Sequence, residues 1–144
     1  DFTVDEYQIY QARLLGADAV LLICALLDTH TLARYLELAR SLGLAALVEA
    51  HDETEVRSAV SAGARIIGVH NRNLKDCAVD GSNAARLRDL IPSGRVYVAE
   101  SGVTSSENVA ALRRIGADAA LMGEVLMRAG NPKALLRERR EAAR

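Results

Sequence analysis

The sequence predicts an α/β protein built on a parallel sheet, and three observations carry that expectation. Five short apolar runs recur along the chain, each just after a glycine, and helix-forming stretches with capping residues separate them. The runs are continuous rather than alternating, which reads as strands buried on both faces. Composition agrees. The 144 residues are 50% apolar and 26% charged, with a net charge of −1, a balance that excludes wholesale disorder.

An opening helix is predicted from Asp5 to Leu15. The five strands are AlaValLeuLeuIle (19–23), AlaLeuValGluAla (46–50), ArgIleIleGlyVal (65–69), ValTyrValAla (96–99) and AlaAlaLeuMet (119–122). Gly16, Gly43, Gly63, Gly94 and Gly116 precede them. A glycine just past a helix supplies the left-handed residue that ends it, so a strand follows directly. Between strands, Thr31 to Leu42 sets Leu32, Leu36, Leu38 and Ala39 on one helical stripe. Asp52 to Glu55 has the form of a capping box and opens a helix to Ala62. Thr104 to Glu107 opens another to Ile115 in the same form, and Ser82 is a candidate cap for a helix to Leu90. Asn131 and Pro132 start the last helix as cap and first residue. No linker or charge block divides the chain, so one domain is expected.

Several function classes drop out. No apolar run approaches the ~18 residues of a membrane helix, and no basic segment precedes an apolar stretch as in a signal peptide. Aromatic residues are 3% of the chain and no basic block is present, so nucleic-acid binding has no support. Cys24 and Cys77 show no ligand spacing, which predicts free thiols in a reducing cytoplasm. His30, His51 and His70 do not form a metal spacing, and no metal site is expected.

In an open parallel sheet and in a barrel alike, function gathers at the carboxyl ends of strands. Here those ends are polar. Glu49 and Glu100 each close an apolar strand, a placement suited to one carboxyl that shuttles a proton and another that fixes a hydroxyl or amine. Ser101-Gly102 and Gly123-Glu124 combine small residues with backbone N–H groups ahead of helical segments, a pattern that binds phosphate. Arg72, after the third strand, offers bidentate donors to a carboxylate or phosphate. His51 and His70 stand at adjacent strand ends, where they can meet. Cys24 reads as a small buried hydrophobe rather than a nucleophile.

Taken in order, six segments resemble indole-3-glycerol phosphate synthase over the whole chain. They are AspPheThrValAspGluTyrGlnIleTyr (1–10), GlyAlaAspAlaValLeuLeuIle (16–23), LeuValGluAlaHisAsp (47–52), IleIleGlyValHisAsnArgAsnLeu (66–74), ValAlaGluSerGlyVal (98–103) and LeuMetGlyGluValLeuMetArg (121–128). The resemblance implies a partial TIM (β/α)8 barrel, with these five strands as family strands 4–8. A complete barrel takes about 250 residues, so residues 1–144 are expected to be its C-terminal five-eighths. It implies a lyase of tryptophan biosynthesis that works without metal or organic cofactor. Its substrate would be 1-(2-carboxyphenylamino)-1-deoxyribulose 5-phosphate, closed to indole-3-glycerol phosphate with loss of carbon dioxide and water.

By the same resemblance Glu49 handles the proton, and Glu100 contacts substrate hydroxyl and amine groups with Ser101 beside it. Arg72 lies near the substrate carboxylate, and Gly102, Gly123 and the Glu124 N–H cradle the phosphate. His70 stands where the family usually has asparagine. The family's general-acid lysine would immediately precede Asp1, and neither Lys75 nor Lys133 stands at a strand end to replace it. The chain is therefore expected to be a piece with little turnover of its own. Alternative readings are a non-catalytic phosphate-binding or self-associating scaffold, and another ribulose-phosphate-binding barrel. Five strands leave two open edges, which predicts a homo-oligomer.

Overall fold

The computed structural model describes residues 2–70 and 86–144. Five strands form one sheet: β1 (Ala19–Ile23), β2 (Ala45–Ala50), β3 (Ile66–His70), β4 (Val96–Glu100) and β5 (Ala119–Leu121). They lie in sequence order and each neighbouring pair is parallel. A doubly wound sheet reverses its strand order at a switch point, whereas a barrel steps always the same way. The uninterrupted order identifies a partial (β/α)8 barrel.

The described helices include α1 (Glu6–Leu14), α2 (Thr29–Ser41), α3 (Glu53–Ala62), α4 (Ser106–Arg114), the single turn α5 (Glu124–Met127) and α6 (Pro132–Ala142). Their ends follow local chemistry. Asp5 and Gln8 form a full capping box on α1, and Asn131 caps α6 ahead of Pro132. Gly63 ends α3 in the left-handed conformation, at φ 90°. The second helix begins at Thr29 rather than Thr31, because the Asp28 side chain accepts the N–H groups of His30 and Thr31. On α4 the box is Ser105 with Asn108, one residue beyond the expected Thr104 and Glu107. The reason is that Asn108 Oδ1 accepts the N–H groups of both Thr104 and Ser105. On α3, Asp52 accepts the Glu55 N–H as expected, but the Glu55 side chain turns to His51. The candidate cap Ser82 lies outside the described residues.

Alternate strand residues fill the layer between sheet and helices. Leu22, Val48, Ile67, Val69 and Tyr97 are fully buried there, against Leu32 of α2 and Val56 of α3. Each large side chain removed from water in this way stabilises the fold by roughly 1.5–3 kcal/mol. The other face carries Leu47, Glu49, Ile66, Gly68, Val96, Val98 and Glu100, as the period of two requires. Expected burial on both faces does not hold along the whole sheet. Five strands do not close a barrel, so Val96 is 41% and Leu121 51% exposed. Among the described residues β1 and β5 each pair along one edge only.

Candidate active site

Because every strand runs the same way, the strand ends gather at one rim. Parallel register sets Glu49 beside Gly68, and His70 beside Glu100. This brings the two expected acids together across β3. Glu100 is 2% exposed, and Gly68 makes the room for it. A β-carbon at position 68 would lie 1.7 Å from Glu100 Oε1 and 2.6 Å from Cδ.

Burial pushes the Glu100 carboxyl up to about 7. The charge of Glu49 and a hydrogen bond between the two carboxyls act in the same direction, while His51 opposes them. A hydrogen bond between two carboxyl groups requires a proton on one of them, and the raised Glu100 carboxyl favours carrying it. An acid protonated near neutral pH beside a second carboxyl can donate and retrieve a proton within one small site. Glu100 Oε1 has no hydrogen-bond partner among the described residues, so it can receive a polar group of a ligand.

Two histidines border the pair. His51 Nε2 lies 3.2 Å from Glu49 Oε1, and its Nδ1 lies 3.0 Å from Glu55 Oε2. The rings of His51 and His70 meet, with centroids 5.2 Å apart. His70 Nε2 is 2.8 Å from Ser101 Oγ. The described residues contain no group of three His, Cys, Asp or Glu side chains arranged to hold a metal ion. Cys24, whose N–H donates to the Glu49 carbonyl at 3.0 Å, has its thiol pushed up to about 12. Burial is the main cause, followed by the charges of Glu55, Asp52 and Glu49.

Next to the acids, the chain turns sharply after β4. Ser101 has φ 61° and Gly102 φ 72°, two left-handed residues in succession. The turn directs Gly102 to Thr104 along a groove of about 790 Å³, whose other wall includes Gly123, Glu124 and Arg128. Gly123 precedes α5 without a side-chain cap, and Arg128 Nε lies 3.0 Å from Glu124 Oε1. The groove therefore joins the two glycine-bearing strand ends singled out in the sequence. Arg72 lies outside the described residues, as do Lys75 and Cys77.

Sequence reasoning missed Gly68 and treated Glu55 only as a helix cap. A glycine inside an apolar strand was the available signal, since such a position often marks close approach of another group. The bridge from Glu55 through His51 to Glu49 left no comparable signal, because it depends on rotamers.

The profile of the indole-3-glycerol phosphate synthase family matches residues 1–138. The chain belongs to this family. It is 59% identical over 143 residues to the indole-3-glycerol phosphate synthase of Ruminiclostridium cellulolyticum, covering 99% of this chain and 55% of that protein. The corresponding enzyme of Endomicrobium trichonymphae is 49% identical, with 96% of this chain and 54% of that protein covered. The chain thus spans about half the length of these indole-3-glycerol phosphate synthases. Among solved structures, the Amycolatopsis orientalis BexX/CysO complex aligns with a TM-score of 0.70 at 23% identity, covering 98% of this chain and 62% of that one. That similarity is one of fold. No helix among the described residues is long and apolar enough to cross a membrane.

Proposed function

We propose that this chain forms strands 4–8, the C-terminal five-eighths, of an indole-3-glycerol phosphate synthase barrel. The reaction is conversion of 1-(2-carboxyphenylamino)-1-deoxyribulose 5-phosphate to indole-3-glycerol phosphate with loss of carbon dioxide and water. The observation that carries the reading is the carboxyl pair. Ring closure and dehydration both move protons, and Glu100 holds one near neutral pH beside Glu49. In this reading Glu49 handles the proton and Glu100 with Ser101 holds substrate hydroxyl and amine groups. His70 adds a polar contact, and Arg72 meets the substrate carboxylate. The phosphate lies in the groove, on the N–H groups of Gly102, Gly123 and Glu124.

The described strand ends carry carboxyl groups but no lysine, and Lys133 lies on α6. We therefore propose that these residues alone turn over slowly. Several proton-handling groups acting together are lost disproportionately when one is missing. The deciding experiment supplies the remaining βα units of the Ruminiclostridium cellulolyticum relative, fused to the chain, and follows indole fluorescence with the authentic substrate. Product formation is expected, with a loss of roughly 10²–10⁴-fold in Glu49→Gln. A folded fusion that yields no indoleglycerol phosphate overturns the reading.

We also propose that the isolated chain associates with itself through the open edges of β1 and β5, which would cover Val96 and Leu121. Sedimentation at micromolar concentration should give a dimer or larger species. A stable monomer rules this out.

A further inference from the structure

We propose that His51 is a positioning residue for the carboxyl pair, an imidazole bracketed by Glu49 and Glu55 that fixes the direction of the Glu49 carboxylate. The proposal rests on the reading of Glu49 and Glu100 as the proton-handling pair. Its geometric basis is that both ring nitrogens meet a carboxylate, at 3.2 Å on Glu49 and 3.0 Å on Glu55. The His51 backbone N–H donates to the same Glu55 oxygen at 2.7 Å. One glutamate oxygen thus ties the ring of His51 to its own backbone, which sets the ring torsion before a ligand arrives.

Glu55 is itself held. It lies in the first turn of α3, where its N–H donates to Asp52 Oδ1 at 2.9 Å. A line of fixed contacts therefore runs from the capped end of α3 through Glu55 and His51 to Glu49. Each ring nitrogen thus faces a different carboxylate, so the ring cannot turn without leaving one of them. The groups around it are Glu49 on β2, Glu55 in the first turn of α3, His70 at the end of β3 and Glu100 on β4, with the α3 cap Asp52 and Cys24 after β1 near the same carboxylates.

Bracketing has a consequence for Glu100 that mere packing lacks. His51 acts to lower the Glu100 pKa, and it does so from a place that Glu55 holds. Substituting Glu55 removes a negative charge, which by itself would favour the ionised form of a nearby acid. If Glu55 instead serves to seat His51, its loss lets the ring move away from the pair and the Glu100 titration rises. The two effects have opposite signs.

The test is a carboxyl ¹³C NMR titration of Glu100 in the full 144-residue chain. His51→Asn and Glu55→Gln are each expected to raise the midpoint, by roughly half a unit to one unit. An unchanged midpoint in His51→Asn, or an unchanged or lowered one in Glu55→Gln, overturns the proposal. Glu55→Gln leaves the ring in place, so it decides the matter even if His51→Asn does not fold. In the fusion enzyme, His51→Asn should lower kcat about tenfold with little change in KM. Unchanged kcat also overturns the positioning role. If the unsubstituted fusion makes no product, the functional reading fails while the titration still decides the seating of His51.

Discussion

Glu100 occupies the space that a side chain at position 68 would need. The distance of 1.7 Å from a β-carbon there to Glu100 Oε1 is far inside van der Waals contact, so the acid and the glycine are one structural unit. The backbone at Gly68 does not itself require glycine, since its φ lies outside the left-handed region. Space for the carboxyl is what the position supplies.

Gly68→Ala should therefore expel Glu100 from its seat while leaving β3 paired. The expected outcome is a Glu100 titration that falls from about 7 toward the ordinary carboxylate range, with stability changed by about 1–3 kcal/mol. Carboxyl NMR with denaturant unfolding checks both. A folded alanine variant with an unmoved titration would show that burial at Gly68 is not what raises the acid.

The raised carboxyl fixes the sign of a pH dependence. Glu100 binds its proton more tightly in the folded than in the unfolded chain, whose carboxyl ionises near 4.5. Its contribution to stability is fully present below that value. It declines as pH rises from about 4.5 to about 7 and stays lost above. The size is on the order of 3 kcal/mol. Glu100→Gln keeps the shape without the charge, so it should be more stable than the unsubstituted chain at pH 8 and nearly equal at pH 4. Urea unfolding at the two pH values measures this, and an equal difference at both would contradict it.

At Ser101 backbone strain and side-chain contact can be separated. A left-handed φ of 61° costs a non-glycine residue roughly 1–2 kcal/mol, and the hydroxyl meets His70 Nε2 at 2.8 Å. Ser101→Ala loses the contact and keeps the strain. Ser101→Gly loses the contact and relieves it. The glycine variant should be the more stable of the two by roughly 1 kcal/mol. Identical unfolding midpoints would remove the strain argument.

Cys24 should resist alkylation. With its thiol pushed up to about 12, the thiolate that reacts is scarce at pH 8. Peptide mapping after iodoacetamide treatment should find Cys24 unlabelled in the folded chain and labelled after denaturation. Rapid labelling of the folded chain would contradict the environment described.

Much of this architecture was legible because it is local. Glycines after helices and continuous apolar runs placed the five strands within a residue or so, since both signals arise from backbone conformation and neighbouring side chains. The caps show the limit. Asn108 took over the role expected of Glu107, one residue away, and Asp28 starts α2 two residues before the expected Thr31, because several residues in each segment are competent caps and three-dimensional geometry selects one. The extent of burial was also misjudged on β5, where an apolar sequence does not reveal that no opposing strand among the described residues covers its inner face.

The sequence by itself determined that Glu49, Glu100, Ser101, Gly102, Gly123 and Glu124 stand at strand ends, because a parallel βα order sends every strand end to one rim. Which of them touch was decided only by the tertiary structure. The β2–β3–β4 register opens the gap at Gly68, burial there keeps the proton on Glu100, and rotamers carry His51 from Glu55 to Glu49. Those are relations between residues far apart in the chain, and their energies depend on distance and dielectric, which no local pattern encodes.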